Sequence, residues 1–328
     1  MKMTKRFSIV LALAVTLLIG ATPKAAEAAW PKDQAITMIV AYSPGGATDI
    51  AARLAAVYIE KYLGQSVAVI NRPGAGGEIG FTALSEAKPD GYTIGFINTP
   101  NVLTIPMQRK TRYSLESFIP VAQLMDDPDS FLVLKDSPIN NLKDLVEHAK
   151  ANPNKVTYGT SGIGSDDHIA TELFCIAAGI QMKHVPFDGA SSNRTAVLGK
   201  HVMLGVFNIS EAKEYVSGGQ LKILGQMSTE RQELFPDTPT FKEQGFDVVM
   251  ASTRGIAMPA GTPADIVEKF AEACEKAIKD PEFQQKCAAA NLPLRFLNPA
   301  DYLASLKANQ KDFQELWNTS PWVQQKKK

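Results

Sequence analysis

Three loops in this chain gather residue types that can do chemistry. The first is Tyr42-Ser43-Pro44-Gly45-Gly46-Ala47-Thr48-Asp49. Gly45 and Gly46 let backbone N–H groups approach a ligand, and the helix expected to follow offers its positive end to an anion. Asp49, in the first turn of that helix, complements the dipole rather than binding an anion. The second loop, residues 71–80 (NRPGAGGEIG), has the glycine spacing of a phosphate cradle but lacks the Lys-Ser/Thr of a P-loop. A rigid turn accounts for it at least as well. The third, residues 158–168 (YGTSGIGSDDH), sets glycines and the hydroxyls of Thr160, Ser161 and Ser165 at a helix start, which makes a carboxylate receptor. A serine nucleophile would want G-x-S-x-G, and Ile163 breaks that pattern. His168 follows Ser165 by three residues and is conceivable as its base, but no orienting acid is evident. Capping and packing explain His168 better than catalysis does.

These loops need strands and helices to hold them. Residues 36–42 (ITMIVAY) form a continuous apolar run, as for a strand buried on both faces, and Ser43-Pro44-Gly45-Gly46 stops it. Thr48 is expected to cap a helix that carries Ile50, Ala51, Leu54, Ala55, Tyr58, Ile59 and Tyr62 at helical spacing and ends at Gly64. A strand at 67–70, a helix near 79–87 and a strand at 92–97 complete a βαβαβ unit. A second alternating unit starts at Phe131–Leu134. It continues with helices near 141–151 and 166–178 and strands at 156–159, 184–187, 202–207 and 221–227. Strands at 248–250 and 256–258 follow, and a long helix is launched with Thr262 as cap and Pro263 in its first turn. Ligands on such sheets bind beyond the carboxyl ends of the strands.

The 328 residues are 45% apolar and 21% charged, with 34 Lys+Arg against 34 Asp+Glu. That excludes disordered and collagen-like classes and, through the missing basic surplus, a nucleic-acid binder. The chain opens with Lys2, Lys5 and Arg6, runs apolar from Phe7 to Ala21 and reaches Ala26-Glu27-Ala28. These are the three parts of a secretory signal peptide, assigned to residues 1–28. Its removal takes four basic residues and one acidic residue, leaving 300 residues with 30 basic and 33 acidic. No later apolar stretch is long enough for a membrane span. The last residues, 324–328 (QQKKK), read as a solvated tail. Three cysteines leave at least one unpaired; Cys274 and Cys287 are a conceivable disulfide, and small buried apolar residues are the plainer reading. The four histidines are scattered, and nothing points to a zinc site or a cofactor.

Trp30-Pro31, Ser43-Pro44-Gly45-Gly46 with Asp49 and Ala52-Arg53, Asn71-Arg72-Pro73-Gly74-Ala75-Gly76-Gly77 and Lys88-Pro89-Asp90-Gly91-Tyr92-Thr93 together resemble tripartite tricarboxylate transporter receptors of the Bug type. Tyr158-Gly159 with Ser161-Gly162, Gly164-Ser165 and His168, then Val185-Pro186-Phe187 with Gly189, and Gly261-Thr262-Pro263 carry the resemblance through nearly all the mature chain. It implies an α/β, two-lobed periplasmic binding protein of type II-like architecture, each lobe a mostly parallel sheet flanked by helices, joined by a two-strand hinge. Residues 29–126 with 252–328 would form lobe 1, and residues 127–251 lobe 2. It further implies a periplasmic monomer that closes over a small organic acid and delivers it to membrane transporter subunits. The ligand carboxylate would be held largely by backbone groups and water from the first and third loops. Where many relatives carry a basic residue this chain has Asp188, and Ser192-Asn193 replaces a common Pro-Ala. At most one fully ionised carboxylate of the ligand is therefore expected in tight contact.

The candidate ligand-binding residues are Tyr42, Ser43, Gly45, Gly46, Ala47, Thr48, Asn98, Thr160, Ser161, Gly164, Ser165, His168, Phe187, Asp188 and Asn208. Ser210 is a further neutral partner, and Phe207 could add to an apolar wall. Two other readings stand beside the receptor: an exported hydrolase using Ser161 or Ser165, and a receptor that signals to a membrane sensor.

Overall fold

The computed structural model describes residues 30, 31, 34–187 and 189–322. The expected signal peptide, Asp188 and the lysine tail lie outside the described residues. In chain order the elements are β1 (Ile36–Val40), α1 (Ala47–Leu63), β2 (Val67–Asn71), α2 (Glu78–Ser85), β3 (Thr93–Thr99), α3 (Asn101–Gln108), β4 (Phe118–Leu134), α4 (Leu142–Ala151) and β5 (Thr157–Thr160). There follow α5 (Asp166–Ala178), β6 (Lys183–Pro186), α6 (Ala190–Leu198), β7 (Leu204–Asn208), α7 (Ile209–Ser217), β8 (Leu221–Gln226), β9 (Ala251–Pro259), α8 (Ala264–Lys279), α9 (Pro281–Ala289), β10 (Leu294–Leu297) and α10 (Pro299–Thr319).

The strands form two groups that share β4. In the first, β2, β1 and β3 run parallel, then β9 pairs antiparallel with β3 (Asn98 opposite Arg254) and with β4. In the second, β6, β5 and β7 run parallel, and β4 pairs antiparallel with β7 (Asp129 opposite Asn208) and β8. The parallel βαβ units thus lie at the two ends of the molecule, with antiparallel pairing between them. Residues 118–128 of β4 bond to β9 and residues 129–134 to β7 and β8. At ~3.3 Å per residue this one strand spans roughly 55 Å. The chain passes between the groups twice, after Pro128 and at Met250–Ala251, where Asp129 N–H meets Met250 C=O at 3.0 Å.

Burial follows the apolar patterns. In α1, Ala51, Ala52, Ala55, Tyr58 and Ile59 are buried against β1 and the apolar face of α8 and α9, built from Phe270, Ala273, Cys274 and Phe283. Gly64 ends α1 at φ +75°, donating its N–H to Glu60 C=O. All three cysteines are buried and unbonded, so Cys274 and Cys287 form no disulfide. Burial pushes the Cys175 and Cys287 thiols up to about 12.

Several expectations shift. Gly46, not Thr48, is the N-cap of α1, because Thr48 Oγ1 accepts from Asn98 instead. Pro263 stands at the cap of α8, since Thr262 turns its hydroxyl back to Pro259 C=O. The strand expected from Phe131 starts thirteen residues earlier, at Phe118. Its polar run Asp126-Asp127-Pro128-Asp129 lies inside the strand, with Asp127 and Asp129 fully buried. The strand expected at 248–250 does not form, and the one expected at 256–258 is the end of a longer strand, β9. Phe207 packs with Leu132, Val197 and Ile209 in a satellite core, so it forms no ligand wall.

Candidate functional site

The loop after β1 is built by Asp49. Its carboxylate accepts from Gly45 N–H (2.9 Å), Arg53 Nε (3.1 Å) and Asn71 Nδ2 (2.8 Å). Burial alone would raise this carboxyl, but the hydrogen bonds from Arg53, Gly45 and Asn71 outweigh it and hold Asp49 below its ordinary range. Gly45 sits at φ +81°, a conformation that favours glycine. Ser43, Gly45 and Gly46 are exposed, and Ala47 and Thr48 open α1 with the first-turn N–H groups that a helix leaves unpaired. Asn98, at the end of β3, donates Nδ2 to Thr48 Oγ1 at 2.9 Å; its Oδ1 is buried without a partner. The Tyr42 hydroxyl is likewise buried and unpartnered.

The loop after β5 is built by a second acid. Asp167 accepts from Ser161 N–H (2.6 Å), from Ser161 Oγ (3.0 Å) and from Ser165 Oγ. The donors that would receive a ligand carboxylate are thus taken by a carboxyl group of the chain itself. Burial and then neighbouring Asp166 push the Asp167 carboxyl up to about 8. Thr160 is fully buried, its hydroxyl 2.6 Å from His184 Nε2. His168 Nδ1 accepts from Gly164 N–H at 3.0 Å, and its ring stacks on that of His184 with centroids 3.8 Å apart. Two of the four histidines that look scattered in sequence are therefore paired. Burial, reinforced for His168 by His184, drives them down to about 3 and about 4, so both rings are neutral at neutral pH. Neither serine hydroxyl donates to a histidine: both serve Asp167. Phe187 is half-buried, its N–H on Thr160 C=O at 3.0 Å.

The two loops meet. Thr104 Oγ1 on α3 donates to Gly164 C=O at 2.8 Å, and a Cβ on Gly164 would lie 1.9 Å from Gln108 Nε2. Behind this contact lies a buried polar cluster that sequence reading did not assemble. Arg254 of β9 donates Nη1 to Asp127 Oδ2 (2.9 Å) and Nη2 to Asn208 Oδ1 (3.0 Å), and its Nε is unpartnered. Asn208 Nδ2 reaches Asp127 C=O, Asp129 Oδ1 and Asp166 Oδ2, the last two at 2.9 Å. Ser210 Oγ donates to Asp127 Oδ2 at 2.5 Å. Burial and then the Asp166 charge push Asp129 well above the carboxylate range, so it keeps its proton. Burial raises Asp127 too, against Arg254 and Ser210. Glu211 rises to about 7, chiefly through burial. Tyr42, across the site, is pushed up by burial and then by Asp166, while Arg254 opposes.

Of the expected residues, Tyr42 and Asn98 each carry a buried unpartnered atom, Asn98 binds Thr48, Gly164 meets α3, Ser165 serves Asp167 and Asn208 joins the Arg254 cluster. Asp127, Asp129, Asp166, Arg254, Thr104 and Gln108 were missed as site residues. The available signal was an Asp-rich run and one arginine inside otherwise apolar strand segments, since a charge buried in a strand needs a partner. Among the described residues no cluster of three or more acidic, histidine or cysteine side chains could hold a metal ion.

Comparison with known proteins gives the family and the fold. Residues 51–311 match the model of the tripartite tricarboxylate transporter family receptor. A Cupriavidus necator protein, "UPF0065 protein in gbd 5'region", is 33% identical over 292 residues, covering 89% of each chain. BugT of Bordetella pertussis is 34% identical over 239 residues, 71% of this chain and 72% of its own. Among solved structures, a TctC solute binding protein from Polaromonas is 30% identical at TM-score 0.73, covering 88% of this chain and 99% of its own. An R. palustris protein solved with adipate is 26% identical at TM-score 0.81, covering 88% and 98%. The two strand groups joined through β4 and β9 are the two-lobed fold of periplasmic binding proteins, and this chain belongs to the tripartite tricarboxylate transporter receptor family.

Proposed function

We propose that the chain is an exported solute receptor that binds a small carboxylate-bearing organic acid between the two strand groups and delivers it to membrane transporter subunits. The observation that carries this reading is a pair of helix starts, α1 on the first strand group and α5 on the second, with Tyr42 OH, Asn98 Oδ1 and Arg254 Nε buried and lacking partners. Asp167 already occupies the donors of the α5 loop, so the ligand carboxylate belongs on the α1 side, at the N–H groups of Gly46, Ala47 and Thr48. The carboxylate-binding neighbour from R. palustris supports the ligand class. Lobe 1 comprises residues 29–126 and 252–328, lobe 2 residues 127–251, and the chain acts as a periplasmic monomer after loss of residues 1–28. The serine-hydrolase alternative finds no support in the serine contacts, because Ser161 and Ser165 direct their hydroxyls to Asp167.

The test is thermal denaturation of the mature protein against a panel of mono-, di- and tricarboxylates, since a ligand that binds only the folded state raises its melting temperature. At least one acid should raise it by several degrees. No response to any acid, or serine-dependent ester hydrolysis lost in Ser165→Ala, would overturn the reading.

A further inference from the structure

We infer that His168 is a positioning residue: its unprotonated ring, stacked on His184, holds the α5 loop against α3, and acid releases that hold while the protein is still folded. The inference rests on the receptor reading above.

The contacts fix which nitrogen carries the proton. Gly164 N–H donates to His168 Nδ1 at 3.0 Å, so Nδ1 is bare and the ring proton sits on Nε2, 4.0 Å from Glu172 Oε1. A second proton would enter at Nδ1 and face the Gly164 N–H, donor against donor. That bond cannot survive protonation. His184 lies parallel to the ring, within 14° and with centroids 3.8 Å apart, so a charge on either imidazole opposes a charge on the other. His184 Nε2 in turn meets Thr160 Oγ1 at 2.6 Å, at the start of the same loop.

Gly164 passes the constraint from one strand group to the other. Its C=O accepts from Thr104 Oγ1 of α3 at 2.8 Å in a buried bond. Its N–H and C=O flank one α carbon, and a Cβ there would strike Gln108 Nε2 of the same helix, so the backbone lies against α3 without slack. Turning the N–H away from His168 therefore disturbs the carbonyl held by Thr104.

The surroundings set the sign. Among the described residues, the titratable groups about the stack are Glu172 and Cys175 of α5, Asp167 at its start and Tyr158 of β5; Lys183 of β6 is exposed. Glu172 accepts from Tyr158 OH and faces the Nε2 side, so it offers nothing to a proton on Nδ1. On the β4 and β7 side, Asp129 and Asp166 share the Asn208 amide. The folded values of about 3 for His168 and about 4 for His184 lie below the ordinary 6.5. The held loop is thus fully favoured above 6.5 and weakens as pH falls towards 4.

The experiment places nitroxide labels on Val57→Cys of α1 and Lys143→Cys of α4, both exposed, and measures their separation in the mature protein without ligand. The native cysteines are buried, and no added acid titrates alongside the protein. At pH 5, with the circular dichroism unchanged, a second distance population should hold at least ten times its share at pH 7.5. Thr104→Val should show that population already at pH 7.5. His168→Asn gives Gly164 N–H an acceptor that does not titrate, and most of the rise should vanish. A wild-type distribution unchanged down to pH 4.5 overturns the inference. So does a change that comes only with loss of the dichroism signal, or a folded His168→Asn protein that responds like the wild type. Should that variant not fold, the wild type and Thr104→Val decide. The carboxylate panel tests the receptor reading separately, so the two can fail independently.

Discussion

Asp167 grips Ser161 at two atoms, taking its backbone N–H at 2.6 Å and its hydroxyl at 3.0 Å, and so fills from within the anion receptor of the α5 loop. On the opposite loop Asp49 takes one backbone donor, Gly45 N–H, together with the Asn71 and Arg53 side chains. The two acids shift in opposite directions: hydrogen bonds from Arg53, Gly45 and Asn71 hold the Asp49 carboxyl down, whereas burial beside Asp166 drives Asp167 towards the acid form.

The titration of Asp167 gives a signed pH effect. Its folded value of about 8 lies above the ordinary 3.8, so its contribution to stability is complete below about 4 and is lost as pH rises through 8. Urea unfolding between pH 5.5 and 8.5 should show the wild type losing roughly 1–3 kcal/mol more than Asp167→Asn over that window. Parallel curves for the two proteins would contradict the assignment.

The histidine stack acts on the acid side. His168 and His184 have folded values of about 3 and 4 against an ordinary 6.5, so the folded state refuses protons that the unfolded chain accepts. Stability is full above 6.5 and falls as pH drops towards 4. His184→Phe keeps a ring beside Tyr158 and His168, gives up the Thr160 contact and should flatten that fall. Chemical denaturation at pH 7, 5.5 and 4.5 checks it; an equally steep decline in the variant would count against it.

Gly46→Val separates binding from folding. Gly46 has φ −81°, and an added Cβ meets only Ser43 C=O, at 3.9 Å, so the melting temperature should change by less than about 3 °C. The branched side chain projects where a carboxylate approaches the α1 start, and affinity for the best ligand should drop at least a hundredfold by calorimetry. Retained affinity would move the carboxylate away from this helix.

Arg254→Met leaves Asp127 buried beside Ser210 without its cation, which costs about 3–5 kcal/mol. Adding Asp127→Asn should recover at least half of that loss in urea unfolding, because the uncompensated charge is gone. A double variant no more stable than the single one would show that packing, and not charge, sets the cost.

Sequence patterns gave the periphery of each strand group more faithfully than its centre. Residues 36–42 are apolar throughout and fold as β1, and the glycines at 64 and 179 end α1 and α5. β4 was hidden because Asp127 and Asp129 are affordable inside a strand only when Arg254 and Asn208 arrive from elsewhere in the chain. For the same reason the loops were legible as helix starts with hydroxyls, but not the fact that Asp167 consumes those hydroxyls. Side-chain choices between near neighbours, Thr48 turning to Asn98 or Thr262 to Pro259, moved both helix caps and depend on tertiary partners.

The sharing of β4 has a mechanical consequence. Any rotation of one strand group against the other is absorbed as torsion in β4 and in the chain at Met250–Ala251, and Arg254, Asp127 and Asn208 sit at that fulcrum. The exposed Ser43–Gly46 turn belongs to the first strand group and the exposed Ile163 to the second, so a rearrangement of hydrogen bonds at the joint shifts one of these edges relative to the other.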